Sequence, residues 1–244
     1  VSVAAHDLAL IQEGPEHRRT FIDNYILLQE PASAALLRTH KHIVSHRNEL
    51  LVRGGKPAEL QTWTHQLWSC AQELAALRER GLAALQLHCN QLYRTMIPGA
   101  KPLTLRYVRK HLLPDETFES FALRYQPIGL QERHLRRTLF GAHLDDIVLE
   151  LGGRDVRLFA SRGQQKLMLL LLKLAQIVHL QELLGSGDGL LLVLDDIVTD
   201  FDPQVLQHIL AFLETLECAL VITTPIAGAI TFSTPTFVLR LPVR

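Results

Sequence analysis

The sequence predicts an α/β fold in which a mixed sheet with flanking helices is joined to a mainly helical lobe. Two short apolar runs, residues 190–194 and 219–222, are bounded by turn residues and suit strands buried on both faces of a parallel sheet. Before residue 140, long segments carry apolar side chains at helical spacing instead. We therefore expect the helical lobe over residues 1–140 and the sheet core over residues 141–244.

The composition predicts a globular protein without a membrane span. The chain has 244 residues and is 48% hydrophobic, enough for one large domain or two modest ones. Lys166 and Lys173 bracket the longest apolar run, which falls short of the roughly 20 residues that a span needs, and no signal-peptide pattern is present. The three cysteines include no Cys-x-x-Cys pair, so we expect a reducing cytoplasm. Val1 in place of Met indicates a processed, engineered or partial chain.

Charge is unevenly distributed along a chain whose net charge is zero. Residues 1–140 hold 18 Lys and Arg against 13 Asp and Glu, a balance of +5, whereas residues 141–244 hold 7 against 12, a balance of −5. The basic part is a candidate for contact with a polyanion, although an ordinary solvated helical domain carries a similar charge. The acidic part needs a divalent cation if it handles a nucleotide.

The N-terminal part is predicted to form one strand and three helices. Residues 1–8 are expected to form a strand entering a turn, and Gly14-Pro15 then begins a helix. Apolar spacing predicts two longer helices over residues 30–52 and 58–93. The Gly-Gly-Lys-Pro connection between them is short, so they should pack as an antiparallel hairpin within about residues 31–95.

Two side-chain pairs in this hairpin have alternative interpretations. His42 and His46 lie one helical turn apart, the spacing of a zinc-binding pair, but no Glu or Cys follows in register, so we favour an ordinary surface pair. Trp63 and Trp68 are expected to pack in the hairpin seam rather than to stack on nucleic-acid bases.

The middle of the chain alternates between strand and helix signals. Residues 103–108 alternate as a strand does, and a helix is expected from Asp115 or Thr117 towards Arg137. A turn at Gly152-Gly153 predicts antiparallel strands over residues 147–151 and 156–160.

A short polar segment precedes these strands. His143, Asp145 and Asp146 contain the residue types of a metal site, but we favour a turn into the strand in which Asp146 caps or pairs locally.

A helix start is predicted at Ser161. Ser161 and Gln164 form the Ser-x-x-Gln pattern of a capping box, in which a hydroxyl and an amide satisfy the first N–H groups of a helix. Gly163 leaves that turn without a side chain, so its N–H groups and the positive end of the helix dipole suit a phosphate. A plain cap without a ligand is the alternative.

Acidic residues follow the strand at 190–194. Asp195 and Asp196 lie at its C-terminal end, where open α/β sheets bind ligands. There Asp195 is a candidate Mg²⁺ ligand and Asp196 a candidate to orient or deprotonate an attacking water. Asp200 and Asp202 then lie in a loop, with a solvated loop and an N-cap at Asp202 as the alternative. After the second strand, Thr223 and Thr224 carry hydroxyls that suit a phosphate contact or simply end the strand.

The order of these segments resembles the C-terminal half of an ABC-type ATPase head, and within that class the bacterial RecF family. The resemblance rests on Ser-x-Gly-Gln-Gln, Leu-Leu-Val-Leu-Asp-Asp, an Asp-x-Asp loop and Ile-Thr-Thr, in that order. It implies that the signature motif consists of Ser161, Gly163, Gln164 and Gln165, and that the Walker B pair consists of Asp195 and Asp196. It also implies that the D-loop contains Asp200 and Asp202 and that the switch strand contains Thr223 and Thr224.

Three further segments carry the resemblance: Gly14 to Asp23, Arg47 to Leu51, and Gly141 to Asp146. In the last of these, Ala142 and Leu144 stand where the family has Pro and Arg. The resemblance implies that Arg18 and Arg19 approach DNA phosphate.

The resemblance also implies a function. It predicts a DNA replication and repair ATPase of the cytoplasm, active in recombination and the SOS response, that uses ATP and Mg²⁺ and dimerises when ATP is bound. The implied DNA is a gapped duplex, a single-strand/double-strand junction or single-stranded DNA, and the implied partners are RecR, RecO and the recombinase RecA.

One motif of such ATPases is missing from the sequence. No Gly-x-x-x-x-Gly-Lys-Ser/Thr occurs, because Gly55-Lys56 is followed by Pro57. The resemblance thus covers the last two thirds of a family member, and we expect this polypeptide to hydrolyse ATP poorly or not at all. The alternatives are a non-catalytic head that serves as an interaction module, another SMC- or RecN-type ATPase, and a stand-alone Mg²⁺ phosphohydrolase.

Overall fold

The structure is a computed structural model that describes residues 1–187, 189–196, 201–225 and residue 232. The chain divides into two compact units, each built from separated segments. The parallel-sheet unit comprises Val1–Leu8, Leu87–Pro102 and Val156–Arg244; the hairpin unit comprises Ala9–Gln86 and Leu103–Asp155. Each unit contains residues from both predicted parts, 1–140 and 141–244. The division at residue 140 into a helical lobe and an ATPase core remains a prediction.

Helices dominate the described residues. They are α1 (Ala9–Gln12), α2 (Pro15–Gln29), α3 (Ala34–Arg53), α4 (Pro57–Met96), α5 (Phe118–Leu135), α6 (Val156–Phe159), α7 (Arg162–Leu184) and α8 (Pro203–Leu213). The strands are β1 (Ser2–Val3), β2 (Leu103–Val108), β3 (Asp146–Leu151), β4 (Arg154–Asp155), β5 (Leu191–Asp195) and β6 (Ala219–Thr223).

A three-stranded parallel sheet of order β1-β5-β6 forms the centre of the parallel-sheet unit. Its central strand is β5, whose last residue, Asp195, lies opposite Thr223 of β6. Because the strands are parallel, their carboxyl ends meet at one edge of the sheet. The predicted carboxylates therefore lie at the end of a central strand.

The burial of these strands corrects one expectation. Leu192 and Leu194 of β5 are fully buried, but Leu191 is exposed and Val193 half-buried, and β6 is exposed or half-buried along its length. Successive residues of a strand point to opposite faces of the sheet. The described residues therefore bury one face of this sheet and leave the other face partly exposed. The prediction that both strands are buried on both faces was therefore wrong.

Helix α7 supplies the largest share of the buried apolar residues described in the parallel-sheet unit. Its length and composition match those of a membrane-spanning helix, which our expectation from Lys166 and Lys173 had excluded. The apolar residues Leu167 to Leu172 are nonetheless buried inside the protein, and α7 packs against β1. Burial of this kind is typical of a core helix.

Helices α3 and α4 form the predicted antiparallel hairpin. Gly54 ends α3 in the left-handed conformation (φ 72°), which glycine adopts without strain. The Cys70 thiol lies 4.0 Å from the carbonyl oxygen of Leu36, and the rings of His46 and Trp63 are 4.2 Å apart. Contacts therefore run in opposite sequence directions along the two helices, as a hairpin requires.

An antiparallel sheet of order β2-β3-β4 completes the hairpin unit. β3 pairs with β2 over six residue pairs but with β4 over only two. The expected strand over residues 156–160 is instead the short helix α6. That prediction was wrong because β3 takes its main partner from 38 or more residues upstream, which a hairpin turn signal does not reveal.

Candidate nucleotide site

The carboxyl end of β5 holds two acidic side chains close to the end of β6. The Thr223 hydroxyl donates a hydrogen bond of 2.5 Å to Asp195 Oδ1. The backbone N–H of Asp196 lies 3.2 Å from both the carbonyl oxygen and the hydroxyl oxygen of Thr223. Both aspartates are exposed. Thr223 therefore fixes the orientation of Asp195 and the backbone of Asp196.

Asp196 also has an unusual backbone conformation. Its φ is 48°, in the left-handed region, which Asp adopts more readily than most residues with a Cβ. The chain turns sharply there, directly after the strand ends.

The start of α7 is a complete capping box, as predicted. Ser161 Oγ accepts a hydrogen bond from Gln164 N at 3.3 Å, and Gln164 Oε1 accepts one from Ser161 N at 2.9 Å. Ser161 and Gln164 are exposed, and Gly163 is half-buried. This surface belongs to the same unit as Asp195. One unit therefore presents both the exposed, capped start of α7 and the carboxylates at the end of β5.

Gln165 has a different environment from the rest of the predicted signature motif. It is buried, and its Nε2 donates to the carbonyl oxygens of Val156 at 3.5 Å and Ala160 at 3.4 Å. Its amide therefore joins the start of α7 to α6. A nucleotide contact by Gln165 remains a prediction from the resemblance.

The predicted D-loop lies partly outside the described residues, which include Asp202 but not Asp200. Asp202 is the N-cap of α8, its Oδ1 accepting a hydrogen bond of 2.9 Å from Gln204 N, and Pro203 is the first helical residue. This is the capping arrangement that the sequence offered as an alternative. Thr224 follows the end of β6.

Arg18 and Arg19 were predicted to approach DNA, and the structure engages both within the hairpin unit. Arg18 is only 4% exposed. Its Nε and Nη2 donate to the two carboxylate oxygens of Asp146 at 2.8 and 3.0 Å, and its Nη1 donates to two backbone carbonyls. Arg19 is half-buried and donates to the carbonyl oxygen of Asp145 at 2.7 Å. A guanidinium held in this way is poorly placed to reach a phosphate.

Segment 143–146 forms the predicted turn into a strand. Asp145 is buried, and its carboxylate accepts hydrogen bonds from the Tyr107 hydroxyl at 2.8 Å and from Lys110 N at 2.9 Å. Burial raises the pKa of Asp145 above its ordinary value. Asp146 accepts a hydrogen bond from the neighbouring Ile147 N at 2.7 Å, the expected local contact, and also pairs with Arg18, 128 residues away. These carboxylates are engaged in protein contacts, which favours the turn over a metal site.

A buried polar network was missed from the sequence. Arg47 is fully buried and donates to both carboxylate oxygens of Glu132, at 2.9 and 2.5 Å. Arg47 also donates to the Thr138 hydroxyl at 3.0 Å, and Tyr125 bonds to both members of the ion pair. Nothing in the local pattern signals this network, because Tyr125, Glu132 and Thr138 lie 78 to 91 residues from Arg47.

Comparison with known proteins bears directly on the proposed resemblance. No family-level sequence model matches this chain. A DNA replication and repair protein RecF from Heliobacterium modesticaldum is 32% identical over 231 residues, which cover 92% of this chain and 62% of that protein. The protein of the same name from Geobacter metallireducens is 31% identical over 229 residues, with the same coverage. The chain thus matches RecF proteins over nearly all of its own length and resembles the C-terminal part of a RecF-family member.

Solved RecF structures share this fold. A structure of the recombination mediator protein RecF with ATP, from the RecFOR pathway, superposes with a TM-score of 0.77 at 24% identity and covers 93% of this chain and 62% of that one. A second RecF structure, with ATPγS, gives a TM-score of 0.77 at 22% identity. These matches confirm the predicted ATPase-head fold with its helical lobe.

The chain spans about 62% of the length of the curated relatives named above. The segment Arg47 to Leu51, one basis of the resemblance, serves the interior of the hairpin unit. Arg47 forms the buried ion pair, and Asn48 Oδ1 accepts a hydrogen bond of 2.7 Å from Thr138 N. This RecF-like segment therefore has a structural role in the hairpin unit.

Proposed function

We propose that this chain is part of an ATP-dependent DNA replication and repair protein of the RecF type, and that its parallel-sheet unit supplies the signature and Walker B parts of the ATP site. The observation that carries this proposal is the pairing of Thr223 with Asp195 at the end of the central parallel strand. The same unit presents the exposed capping-box start of α7. The names and ATP complexes of RecF relatives support it.

The residues present fit a magnesium nucleotide. Asp195 is a carboxylate at the carboxyl end of a central strand, the ligand type that Mg²⁺ prefers, and Thr223 holds its orientation. Bound Mg²⁺ would neutralise charge on the phosphates. Asp196, on the sharply turned residue that follows, would orient the attacking water and accept its proton.

The start of α7 would act on nucleotide held by a second copy of the protein. The Ser161 hydroxyl and the backbone around Gly163 would donate hydrogen bonds to the γ-phosphate at the positive end of the helix dipole. Binding of ATP between two copies would make the homodimer ATP-dependent.

DNA contact would use cations other than Arg18. Arg18, Arg47 and Arg78 are buried in ion pairs, and the pair of Arg18 with Asp146 neutralises one of the five excess positive charges of residues 1–140. Arg133, Arg136 and Arg137, by contrast, are exposed together at the C-terminal end of α5. We assign DNA phosphate contact to these three residues, which also complement the helix dipole.

The biological setting follows the resemblance and the names of the relatives. The protein would bind gapped duplex, junctions or single-stranded DNA in the cytoplasm and support loading of the recombinase RecA, with RecR and RecO as partners. It would take part in recombinational repair and the SOS response.

The ATPase proposal is tested in a protein in which this chain is joined to a phosphate-binding loop. Asp196→Asn should leave ATP binding within about twofold and abolish turnover, because the amide cannot take up the proton. Asp115→Asn is the matched control, since Asp115 is also exposed with a positive φ of 55°, a conformation that Asn adopts readily, and has no proposed role in the site. Full turnover in Asp196→Asn would refute the assignment.

The non-catalytic interaction module remains the second candidate. The sequence has no phosphate-binding loop motif, and its Gly54-Gly55-Lys56-Pro57 segment serves to end α3. A phosphate-release assay on the chain alone, with and without Mg²⁺, tests for the third alternative, a stand-alone phosphohydrolase. It sets that alternative against both the RecF-type ATPase part and the interaction module. Both candidates predict no release, and Mg²⁺-dependent release would overturn both.

A further inference from the structure

Three potential metal ligands converge where the last part of α4 meets α7, within the parallel-sheet unit. They are His88 of α4 and His179 and Glu182 of α7, and their ligand atoms all lie within 4.8 Å of one another. His88 Nε2 lies 3.7 Å from Glu182 Oε2, and His179 Nδ1 lies 3.8 Å from the same oxygen. Among the residues that the structure describes, this is the one group of three His, Cys, Asp or Glu side chains so close together.

The spacing suits a small cation. Zinc bonds of about 2.0–2.1 Å at tetrahedral angles place ligand atoms roughly 3.3 Å apart. The observed 3.7 and 3.8 Å separations from Glu182 need to contract by about half an ångström, and the two imidazoles, whose ligand atoms lie within 4.8 Å of each other, need to approach by up to about 1.5 Å. The Glu182 side chain is 57% exposed and so has room to make that movement.

The surroundings also suit a metal. The His88 and His179 side chains are only 11% and 16% exposed, whereas the exposed Glu182 carboxylate leaves a path for an ion. His88 Nδ1 is buried and has no hydrogen-bond partner among the described residues, whereas Nε2 of the same ring lies 3.7 Å from Glu182 Oε2.

The end of a helix adds a favourable field. His179 and Glu182 lie in the last two turns of α7, which ends at Leu184. The carbonyl groups at a helix C-terminus carry partial negative charge and stabilise a nearby cation.

We propose that His88, His179 and Glu182 bind one divalent transition-metal ion. Two imidazoles and one carboxylate suit zinc, with water as the fourth ligand. The ion would tie the end of α4 to the core helix α7. This site is separate from the proposed Mg²⁺ ligand Asp195, which offers carboxylate oxygens rather than imidazoles.

The test is direct metal binding by the purified chain after removal of metal with a chelator. Zinc titration by calorimetry should give one ion per chain, and cobalt should give the visible absorption of a tetrahedral site. Glu182→Gln and His179→Gln should each weaken zinc binding at least about tenfold, since changing even an outer residue of a metal site has an effect of that size. Zinc should also raise the melting temperature of the unmodified chain more than that of Glu182→Gln.

The matched control is the double substitution His42→Gln, His46→Gln. That histidine pair lies against Trp63 in the hairpin unit, with ring centroids 6.2 Å apart, and its loss should leave zinc binding unchanged. Circular dichroism verifies that each variant folds. If His179→Gln misfolds, Glu182→Gln alone tests the zinc site, because Glu182 is exposed and its replacement should not disturb folding. Binding that survives Glu182→Gln, or that disappears in the His42/His46 control, would overturn the site, as would no binding at micromolar zinc.

Discussion

Thr223 donates its hydroxyl hydrogen to Asp195 across adjacent parallel strands of the same sheet. A strand-end carboxylate held by its neighbour has one defined orientation before any ligand arrives. Preorganisation of this kind is what a metal-binding carboxylate in an ATPase requires.

Replacing Thr223 with Val tests that orientation. Val keeps the shape of Thr but removes the hydroxyl, so Asp195 loses its hydrogen bond. In a protein joined to a phosphate-binding loop, we expect ATP turnover to fall about 10-fold or more, the usual effect of losing a residue that orients a metal ligand. Steady-state phosphate release measures the change.

Thr215→Val provides the matched control. The exposed Thr215 hydroxyl donates a hydrogen bond to the backbone oxygen of Phe212. Thr215 is not among the proposed site residues, so its loss should not affect Asp195. Equal losses of turnover in the two variants would show that the Thr223 effect is not specific to Asp195.

The buried ion pair in the hairpin unit predicts a large effect on stability. Arg47→Met leaves the Glu132 carboxylate buried without its cation, so unfolding should become easier by about 3–5 kcal/mol. Arg53→Met, which removes an exposed pair with Glu49, should change stability by less than about 1 kcal/mol. Urea unfolding followed by tryptophan fluorescence reports on this unit, because Trp63 and Trp68 both lie in it. Similar effects of the two variants would contradict the buried arrangement.

Two buried histidines predict a loss of stability in acid. Burial, helped by nearby positive charge that includes Arg78, lowers the pKa of His40 to about 3 and that of His143 to about 4. The unfolded chain, with ordinary histidines, therefore binds more protons below about pH 6.5, and the free energy of unfolding falls as the pH drops from there. Each histidine contributes up to about 1.4 kcal/mol per pH unit.

Unfolding measured between pH 7.5 and 5 checks this prediction. His40→Gln combined with His143→Gln should flatten the dependence, whereas His134→Gln, on the exposed end of α5, should leave it in place. A pH dependence that the double variant does not alter would rule out these two histidines as its source.

Features encoded over a few neighbouring residues were predictable from the sequence. The capping box at Ser161, the N-cap at Asp202 and the glycine end of α3 each depend on contacts within five residues, so their patterns are visible in the chain. The long hairpin followed from apolar periodicity and a short connection.

Features formed by distant residues were not predictable. The pairing of β3 with β2, the burial of Arg18 against Asp146, and the meeting of His88 with His179 join residues 38 to 128 positions apart. No local pattern distinguishes a surface arginine from a buried one, because the partner is defined only when the chain folds.

The exposed arginines of α5 predict the salt dependence of DNA binding. Replacing Arg133, Arg136 and Arg137 with Gln should weaken binding to a gapped duplex and reduce the slope of log affinity against log salt by up to about 3, about one for each lost phosphate contact. Fluorescence anisotropy at several salt concentrations measures the slope.

A control with the same charge change separates this cluster from general electrostatics. Lys41, Arg53 and Lys56 are also exposed in the hairpin unit, and their replacement by Gln should change the slope by less than one. Equal effects of the two triple variants would argue against a specific contact at the end of α5.

The central claim is that Ser161 of one copy and Asp195 with Asp196 of the other complete one ATP site. Mixing two inactive variants, Ser161→Arg and Asp196→Asn, each joined to a phosphate-binding loop, tests it most directly. If Ser161 acts on the partner's nucleotide, a mixed dimer has one site with both defects and one intact site, so ATP turnover should reappear on mixing. Turnover that stays absent in verified mixed dimers would contradict the account, because every site would then contain one defect.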